Sequence, residues 1–156
     1  MQPEHRLDTE AVFDGRIVRV RVDTVTLPGG GEAKREVVEH GASVVAVPID
    51  SQGNVILVRQ YRYPVGRTLL EAPAGVIEES EAPEACAQRE LQEEVGYRAR
   101  SLRSLGSFWT TPGFCDERMH VYLATDLEPS RLEPDPDEDI AVVPVPMSRV
   151  RAMIAR

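Results

Sequence analysis

Polar and apolar positions alternate along the first sixty residues in the manner of β-strands. Residues 16–22 alternate with a period of two, which predicts a strand buried on one face because successive side chains point to opposite faces. Residues 42–49 are almost continuously apolar and predict a strand covered on both faces. Turns are expected at residues 27–32 and 50–54, and further strands at residues 34–39 and 55–59.

The pattern becomes helical beyond Ala82. Good helix formers fill residues 83–95, Ser80 offers an N-cap, and Gly96 stands where a helix-terminating glycine belongs. Downstream, strands are expected at residues 102–109, 118–124 and 140–145, and a second helix at residues 148–154. The order of strands, helix, strands and helix predicts an α+β fold or an α/β/α layered fold.

Length and composition exclude several classes of protein. The chain has 156 residues, about the size of one domain. It contains no apolar run near the ~18 residues of a membrane helix, and its polar first ten residues are unlike a signal peptide. We therefore expect a cytoplasmic protein with no membrane partner. The two cysteines, Cys86 and Cys115, form no CxxC pair and predict no disulfide framework.

The net charge of −8 is concentrated in two segments. Residues 71–94 contain eight acidic residues and one basic residue, and residues 128–139 contain six and one. The rest of the chain has 16 basic and 12 acidic residues, which do not predict the continuous basic surface that nucleic acid requires. The acidic segments are either solvated faces or a site for hard cations, which prefer oxygen ligands.

Three glutamates of the predicted helix, Glu90, Glu93 and Glu94, are spaced so that their carboxylates share one face. Like charges at this spacing repel each other, whereas Mg²⁺ binds carboxylates together with substrate phosphates. Backbone carbonyls of the preceding loop, residues 71–75, could complete such a site. A solvated acidic helix face is the alternative interpretation.

The full spacing around the helix decides between these interpretations. The chain reads glycine at 75, five residues, Glu81, seven residues, Arg89-Glu90-Leu91, one residue, Glu93-Glu94, one residue, and Gly96-Tyr97. This resembles the Nudix hydrolase box, Gx5Ex7REUxEExGU with U apolar, and only the tyrosine is a loose fit. The resemblance implies the Nudix fold, a mixed β-sheet between helices, and hydrolysis of a nucleoside diphosphate linked to another moiety.

The resemblance also implies a metal centre. Two or three Mg²⁺ ions, replaceable by Mn²⁺, would be bound by Glu90 and Glu94 together with the backbone carbonyl of Ala74. Glu93 would be a further ligand or the base that activates water. Arg89 would orient a carboxylate of this cluster.

Three other box residues would have structural roles by the same resemblance. Gly75 and Gly96 would allow the turns on either side of the helix. Glu81 would be structural or a weak outer ligand of the metal.

Outside the box, the chain is similar to the ADP-ribose pyrophosphatase branch of the family. The similarity is carried by residues 12–27, the segments GASVVAVPID, VILVRQYR and TLLEAPAGVIE, and Pro112, sixteen residues after the last box glycine. It implies that Arg62 binds the pyrophosphate and that Glu71 contacts adenosine. A surface ion pair is the alternative for Arg62, and a structural role is the alternative for Glu71.

The branch also uses an acidic residue from a late loop as base or extra metal ligand. Here residues 135–139 take that place, and we favour Glu138, with Asp137 and Asp139 as alternatives. Pro136 stands where some relatives have a second glutamate, so Glu93 remains the competing base.

The predicted substrate is ADP-ribose or a related ADP-sugar, cleaved to AMP and a sugar phosphate. Alternatives are a GDP-sugar, a dinucleoside polyphosphate, NADH, a flavin or coenzyme pyrophosphate, or a nucleotide sensor without activity. The complete box favours catalysis over sensing.

Members of the branch are commonly intertwined dimers. We therefore expect residues 1–40 to form an N-terminal antiparallel β extension that mediates homodimerisation, and residues 41–156 to form the catalytic domain, with its box at 75–97. Relatives usually continue beyond the last predicted helix, so a chain shortened at its C-terminal end is one interpretation.

Overall fold

The computed structural model describes residues 2–134 and 138–154. Within them, strands, a helix, further strands and a second helix follow one another, which confirms the predicted α+β order. The strands are β1 (His5–Asp14), β2 (Val18–Thr26), β3 (Glu32–His40), β4 (Ser43–Pro48), β5 (Asn54–Arg62), β6 (Arg67–Glu71), β7 (Ala74–Val76), β8 (Tyr97–Trp109), β9 (Arg118–Pro129) and β10 (Ile140–Pro146). The helices are α1 (Pro83–Glu90) and α2 (Met147–Ile154), with a 3₁₀ turn at Tyr63–Val65 and a π turn at Leu91–Val95. No helix in these ranges has the length and apolar character that a membrane span requires.

The chain forms two compact units. The first contains the residues up to Ala42 together with Phe108–Met119, and β1, β2 and β3 form its antiparallel sheet. Val20 in the middle strand lies opposite Phe13 of β1 and Val38 of β3. The sheet therefore follows the predicted hairpin, with β1 added along its edge.

Strand β1 was not predicted from its sequence. All ten of its residues are exposed, so no buried face imposes a period of two on its polar and apolar positions. Leu7, Val12 and Phe13 are each more than half exposed. The strand is specified by its ladder to β2 rather than by a pattern of its own.

The second unit contains Ser43–Ser107 and the residues from His120 onward. One sheet has the strand order β10-β5-β6, and β4, β7, β8 and β9 belong to a second sheet in the order β7-β4-β9-β8. Helix α1 packs on β4 and β7, while α2 packs on β5 and β10. The apolar core includes Ala46, Ile56, Val58, Leu91 and Ala124.

The start and end of the first helix differ from the sequence prediction. Ser80 has φ 66°, a left-handed conformation, so it does not provide the extended backbone of an N-cap. The N-cap is Ala82, without a side-chain hydrogen bond, and Pro83 occupies the first turn. The helix continues to Val95 as predicted, but its last five residues form the π turn.

Candidate active site

The end of α1 and the π turn place three glutamates together. Glu90 is the last residue of α1, and Glu93 and Glu94 lie in the π turn. The N–H of Gly96, whose φ is 75°, donates to the carbonyl of Leu91 and ends the turn. Glu90 and Glu94 are only 7% and 4% exposed. π turns of this kind often occur at functional sites.

Strand β7 lies directly against two of these carboxylates. The N–H of Ala74 donates to Glu94 Oε2 at 3.2 Å. At the next residue, Gly75, an added Cβ atom would stand 1.9 Å from Glu90 Oε1. Consecutive residues of β7 therefore contact Glu94 and Glu90, which brings the two carboxylates side by side.

The two box glycines serve different purposes. Gly96 has the left-handed backbone that a turn after a helix requires, as predicted. Gly75 is not among the glycines of the described chain with positive φ, so its backbone suits any residue. Its missing side chain instead leaves room for the Glu90 carboxylate.

Arg89 connects three carboxylates. Its Nη1 donates to Glu90 Oε1 at 2.7 Å and to Glu93 Oε2 at 3.0 Å. Its Nε and Nη2 each donate to one oxygen of Glu81, both at 3.0 Å. This bidentate bond holds the pKa of Glu81 down at about 2. Glu81 therefore fixes the Arg89 guanidinium through Nε and Nη2. The remaining nitrogen, Nη1, orients Glu90 and Glu93.

Burial dominates the electrostatics of the two deepest glutamates. It raises the pKa of Glu90 to about 7 and that of Glu94 to about 8, because charge is disfavoured away from water. The nearby charge of Glu138 raises both pKa values further, whereas Arg89 lowers that of Glu90. A cation bound here would favour the ionised form of both groups.

The predicted late-loop base falls partly within the described chain. Glu138 is half-buried and interacts electrostatically with Glu90, Glu94 and Arg62. Asp139 is exposed, and Asp137 lies outside the described residues. The structure thus brings the favoured candidate to the glutamate cluster.

Arg62 and Glu71 form an ion pair at the edge of this cluster. Arg62 Nε donates to both oxygens of Glu71 at 3.1 Å, and Nη2 donates to Oε2 at 2.6 Å. Hydrogen bonding to Glu71 raises the pKa of Arg62, and the charges of Glu94 and Glu138 act in the same direction. The guanidinium therefore lies in the field of the site glutamates.

The donor set fits a hard divalent cation. Across residues 2–134 and 138–154, no three acidic, histidine or cysteine side chains form a ready-made metal cage. Mg²⁺ does not require one, because it usually takes one or two protein carboxylates and completes its shell with water and phosphate oxygens. Glu90 and Glu94, two adjacent desolvated carboxylates, provide that number of ligands.

Comparison with known proteins decides the family. Residues 39–154 match the NUDIX domain, which is about three quarters of the chain. The chain belongs to the Nudix family. Residues 4–38 match the nucleoside diphosphate sugar hydrolase N-terminal domain, which precedes the Nudix domain in the sequence.

Curated relatives of this Nudix hydrolase include two named ADP-ribose pyrophosphatase. The Bacillus subtilis protein is 41% identical over 144 residues, covering 91% of this chain and 78% of the relative. The Mycobacterium tuberculosis protein is 46% identical over 128 residues, covering 80% of this chain and 62% of the relative. A crystal structure titled ADP compounds hydrolase matches with a TM-score of 0.90 and 27% identity, covering all of this chain and 85% of that one. The predicted Nudix fold is therefore confirmed.

Two contacts around the Nudix box were not predicted. The amide of Gln88 bonds both the carbonyl and the N–H of Ala99, at 2.6 and 3.0 Å, and so fixes α1 to β8. Gln92 Nε2 donates to Ser130 Oγ at 2.8 Å, and the Leu132 N–H donates to the Gln92 carbonyl. Both glutamines stand at unspecified box positions, so the signature contains no signal for them.

Proposed function

We propose that the protein is a Mg²⁺-dependent pyrophosphohydrolase that cleaves the diphosphate of ADP-ribose or a related ADP-sugar to AMP and a sugar phosphate. The observation that carries the proposal is the pair of almost fully buried carboxylates, Glu90 and Glu94, packed against the backbone of Ala74 and Gly75. Burial of two adjacent carboxylates is unfavourable unless a cation joins them. The names of the relatives support the choice of ADP-ribose.

Each residue of the cluster has a proposed part in this reaction. Glu90, Glu94 and the Ala74 carbonyl hold the metal, with Glu93 as a further ligand. Two or three ions bind, and Mn²⁺ replaces Mg²⁺. When bound, the metal neutralises the charge of the diphosphate and acidifies a water molecule. Arg89 keeps Glu90 and Glu93 in place through its two bonds from Nη1.

Glu138 is the proposed base. Support comes from its charge, which acts on both proposed metal ligands, Glu90 and Glu94. One oxygen of the competing base, Glu93, is already engaged by a hydrogen bond from Arg89 at 3.0 Å. Replacement by glutamine should therefore lower kcat more at Glu138 than at Glu93.

The substrate is held by its phosphates in this proposal. The guanidinium of Arg62 suits two phosphate oxygens by its planar fork, and it is already in the field of the glutamate cluster.

The first experiment measures the nucleotide released in the presence of Mg²⁺: AMP from ADP-ribose and ADP-glucose, GMP from GDP-mannose, and the corresponding nucleotides from NADH and diadenosine polyphosphates. Glu94→Gln tests the metal ligand, and Glu84→Gln, an exposed glutamate on the same helix, is the matched control. We expect the highest kcat/KM for ADP-ribose, loss of activity in the first variant and normal activity in the control. A different best compound overturns the substrate. Binding of ADP-ribose without turnover of any compound indicates a nucleotide sensor.

In this proposal the protein acts as a homodimer in the cytoplasm, and residues 1–40 provide the contacts between subunits. Support comes from the first unit, where Leu7, Val12, Phe13 and Ile17 are all more than half exposed. Exposed large apolar side chains favour association where they lie together. Sedimentation at micromolar concentration should give twice the monomer mass, and a Leu7→Glu, Val12→Glu variant should lower it. A monomeric mass for the unchanged protein would contradict the dimer.

A further inference from the structure

Arg62 and Glu71 are brought together by the antiparallel hairpin of β5 and β6. Glu71 lies opposite Val58, and Arg62 is four positions beyond Val58 on the same strand. Residues an even number of positions apart share one face of a strand, so Arg62 and Glu71 are on the face to which the buried Val58 belongs. The arginine side chain reaches back along its strand to meet the carboxylate.

The contact uses one edge of the guanidinium. Nε bonds both oxygens of Glu71 at 3.1 Å, and Nη2 bonds Oε2 at 2.6 Å. Nη1 makes no hydrogen bond to any part of the chain that the structure describes. The carboxylate is the more buried partner, with 23% of its side chain exposed against 41% for the arginine. Glu71 therefore fixes Arg62 while leaving a donor of the guanidinium available.

Glu71 is also placed beside the metal-binding backbone. It ends β6, and only two residues separate it from Ala74, whose N–H bonds Glu94. Glu94 and Glu138 both act on the charge of Arg62. The ion pair is therefore close along the chain to the backbone that contacts Glu94, and its arginine is in the field of the glutamate cluster.

We propose that Glu71 is a positioning residue, which holds the Arg62 guanidinium in place for the diphosphate and does not itself recognise adenosine. The inference rests on the proposed function, since it takes the diphosphate as the ligand of Arg62. A free arginine side chain samples many rotamers, and a fixed one binds with less loss of entropy. The adenosine contact implied by the family resemblance is the competing interpretation of the same residue.

The test compares two substrates that differ only in the base, ADP-ribose and GDP-ribose. Glu71→Gln should raise KM for both by the same factor, about tenfold, with kcat changed by less than about threefold. Glu71→Asp, which keeps the charge, should recover part of the loss. Arg62→Ala combined with Glu71→Gln should be no worse than Arg62→Ala alone, because the two residues act as one unit. An adenosine contact predicts instead a loss confined to ADP-ribose that adds to the loss from Arg62→Ala.

A second measurement does not depend on turnover. The Nε–H resonance of Arg62 in a ¹⁵N spectrum should be slow to exchange in the unchanged protein and broadened in Glu71→Gln. Glu128→Gln is the matched control, because Glu128 forms an ion pair with the exposed Arg100 and not with Arg62. Titration with ADP should show about tenfold weaker binding in Glu71→Gln only.

The two measurements separate the failures of the two proposals. If the protein hydrolyses neither compound, while Glu71→Gln still weakens ADP and broadens the Arg62 signal, the proposed function fails and the positioning role stands. If the Arg62 signal and ADP binding are unchanged in Glu71→Gln, or the loss is confined to adenine compounds, the positioning role is wrong.

Discussion

Each unit contains an arginine that bonds several carboxylates. The pKa of a buried carboxylate is lowered in one of these clusters and raised in the other. In the first unit, Arg21 Nε bonds Asp23 at 3.0 Å, Nη1 bonds Glu39, and Thr9 Oγ1 donates to Asp23 at 2.6 Å. Hydrogen bonding from Thr9, and then from Arg21, lowers the pKa of Asp23, although only 5% of this residue is exposed. Hydrogen bonds from Thr9 and Arg21 therefore stabilise the charged form of Asp23 within the protein itself.

In the second unit, the donors of Arg89 are divided among Glu81, Glu90 and Glu93. Glu81 takes two of them and has a low pKa, whereas the pKa of Glu90 stays raised despite its bond to the same arginine. A lowered pKa shows that donors of the protein stabilise the charge of a buried carboxylate, and a raised pKa shows that they do not. Three variants and one pH dependence test this distinction.

The largest effect is expected for Glu94→Gln. A neutral amide still accepts the Ala74 N–H but binds a divalent cation much more weakly than a carboxylate, so kcat/KM should fall by about 10²–10³-fold. At pH 8.5, above the pKa of Glu94, the Tm of the metal-free protein should stay equal or rise, because the charged form of this buried carboxyl has been removed. Calorimetry in EDTA beside the AMP assay checks both expectations. A lower Tm with retained activity would show that Glu94 is structural.

A smaller loss is expected for Gly75→Ala. The added Cβ would stand 1.9 Å from Glu90 Oε1, so the carboxylate must move. A shift of about 1 Å at a reacting centre can cost up to about 10²-fold in rate, and we expect a loss of this order. The control is Gly29→Ala, which has no neighbour within 4 Å of its Cβ and should keep full activity. Equal activities of the two variants would contradict the close approach.

Metal binding should depend on pH. With pKa values of about 7 and 8, Glu90 and Glu94 are mostly protonated at pH 6.5, so a cation must displace protons. The increase in Tm caused by Mg²⁺ should therefore be larger at pH 8.5 than at pH 6.5. In the metal-free protein, stability changes with pH in the opposite direction. Both pKa values lie above the ordinary 4.5, so the contribution of these groups to stability is lost as pH rises from about 4.5 to 8. Glu94→Gln should reduce both dependences, and a Mg²⁺ effect independent of pH would argue against ionisation of the pair.

The smallest effect concerns the first unit alone. Asp23→Asn should lower Tm by about 3–6 °C, because a buried carboxylate bonded by Thr9 and Arg21 is lost. Since the pKa of Asp23 is lowered, its contribution is present above pH 3.8 and disappears as pH falls through the lower value. Asp14→Asn is the control, because the Asp14–Arg19 pair is mostly exposed and should contribute little. Scanning calorimetry at pH 7 compares the Tm values of the two variants. An unchanged Tm for Asp23→Asn would show that the bonds of Asp23 do not stabilise the first unit.

Local patterns were sufficient for most of the second unit. The helix at residues 83–95 and strands β4 and β5 have the apolar period or continuous apolar run that burial imposes. Residues 71–75 were expected as a loop, whereas Glu71 ends β6 and Ala74 and Gly75 begin β7. Glu71-Ala72-Pro73-Ala74-Gly75 has too few apolar positions to show a period, and β7 exists through its pairing with β4.

The site was predictable as a set of residues but not as an arrangement. Spacing on a helix brings Glu90 and Glu94 together, and the structure adds that both are buried against β7. Two other contacts join residues that are distant along the chain. Glu90 lies close to Gly75, and Arg62 donates hydrogen bonds to Glu71. Such contacts depend on how the strands pack, which no local period encodes. The catalytic roles and the division into residues 1–40 and 41–156 stay predictions.

The π turn makes the length of this helix as important as its composition. The Gly96 N–H bonds the carbonyl five residues earlier, whereas an α-helix closes each turn with a bond to the fourth residue before. Deleting one residue between Leu91 and Val95 would allow that ordinary bond and leave a turn with one residue fewer. The segment is therefore sensitive to insertion and deletion, because either one changes how its last turn closes.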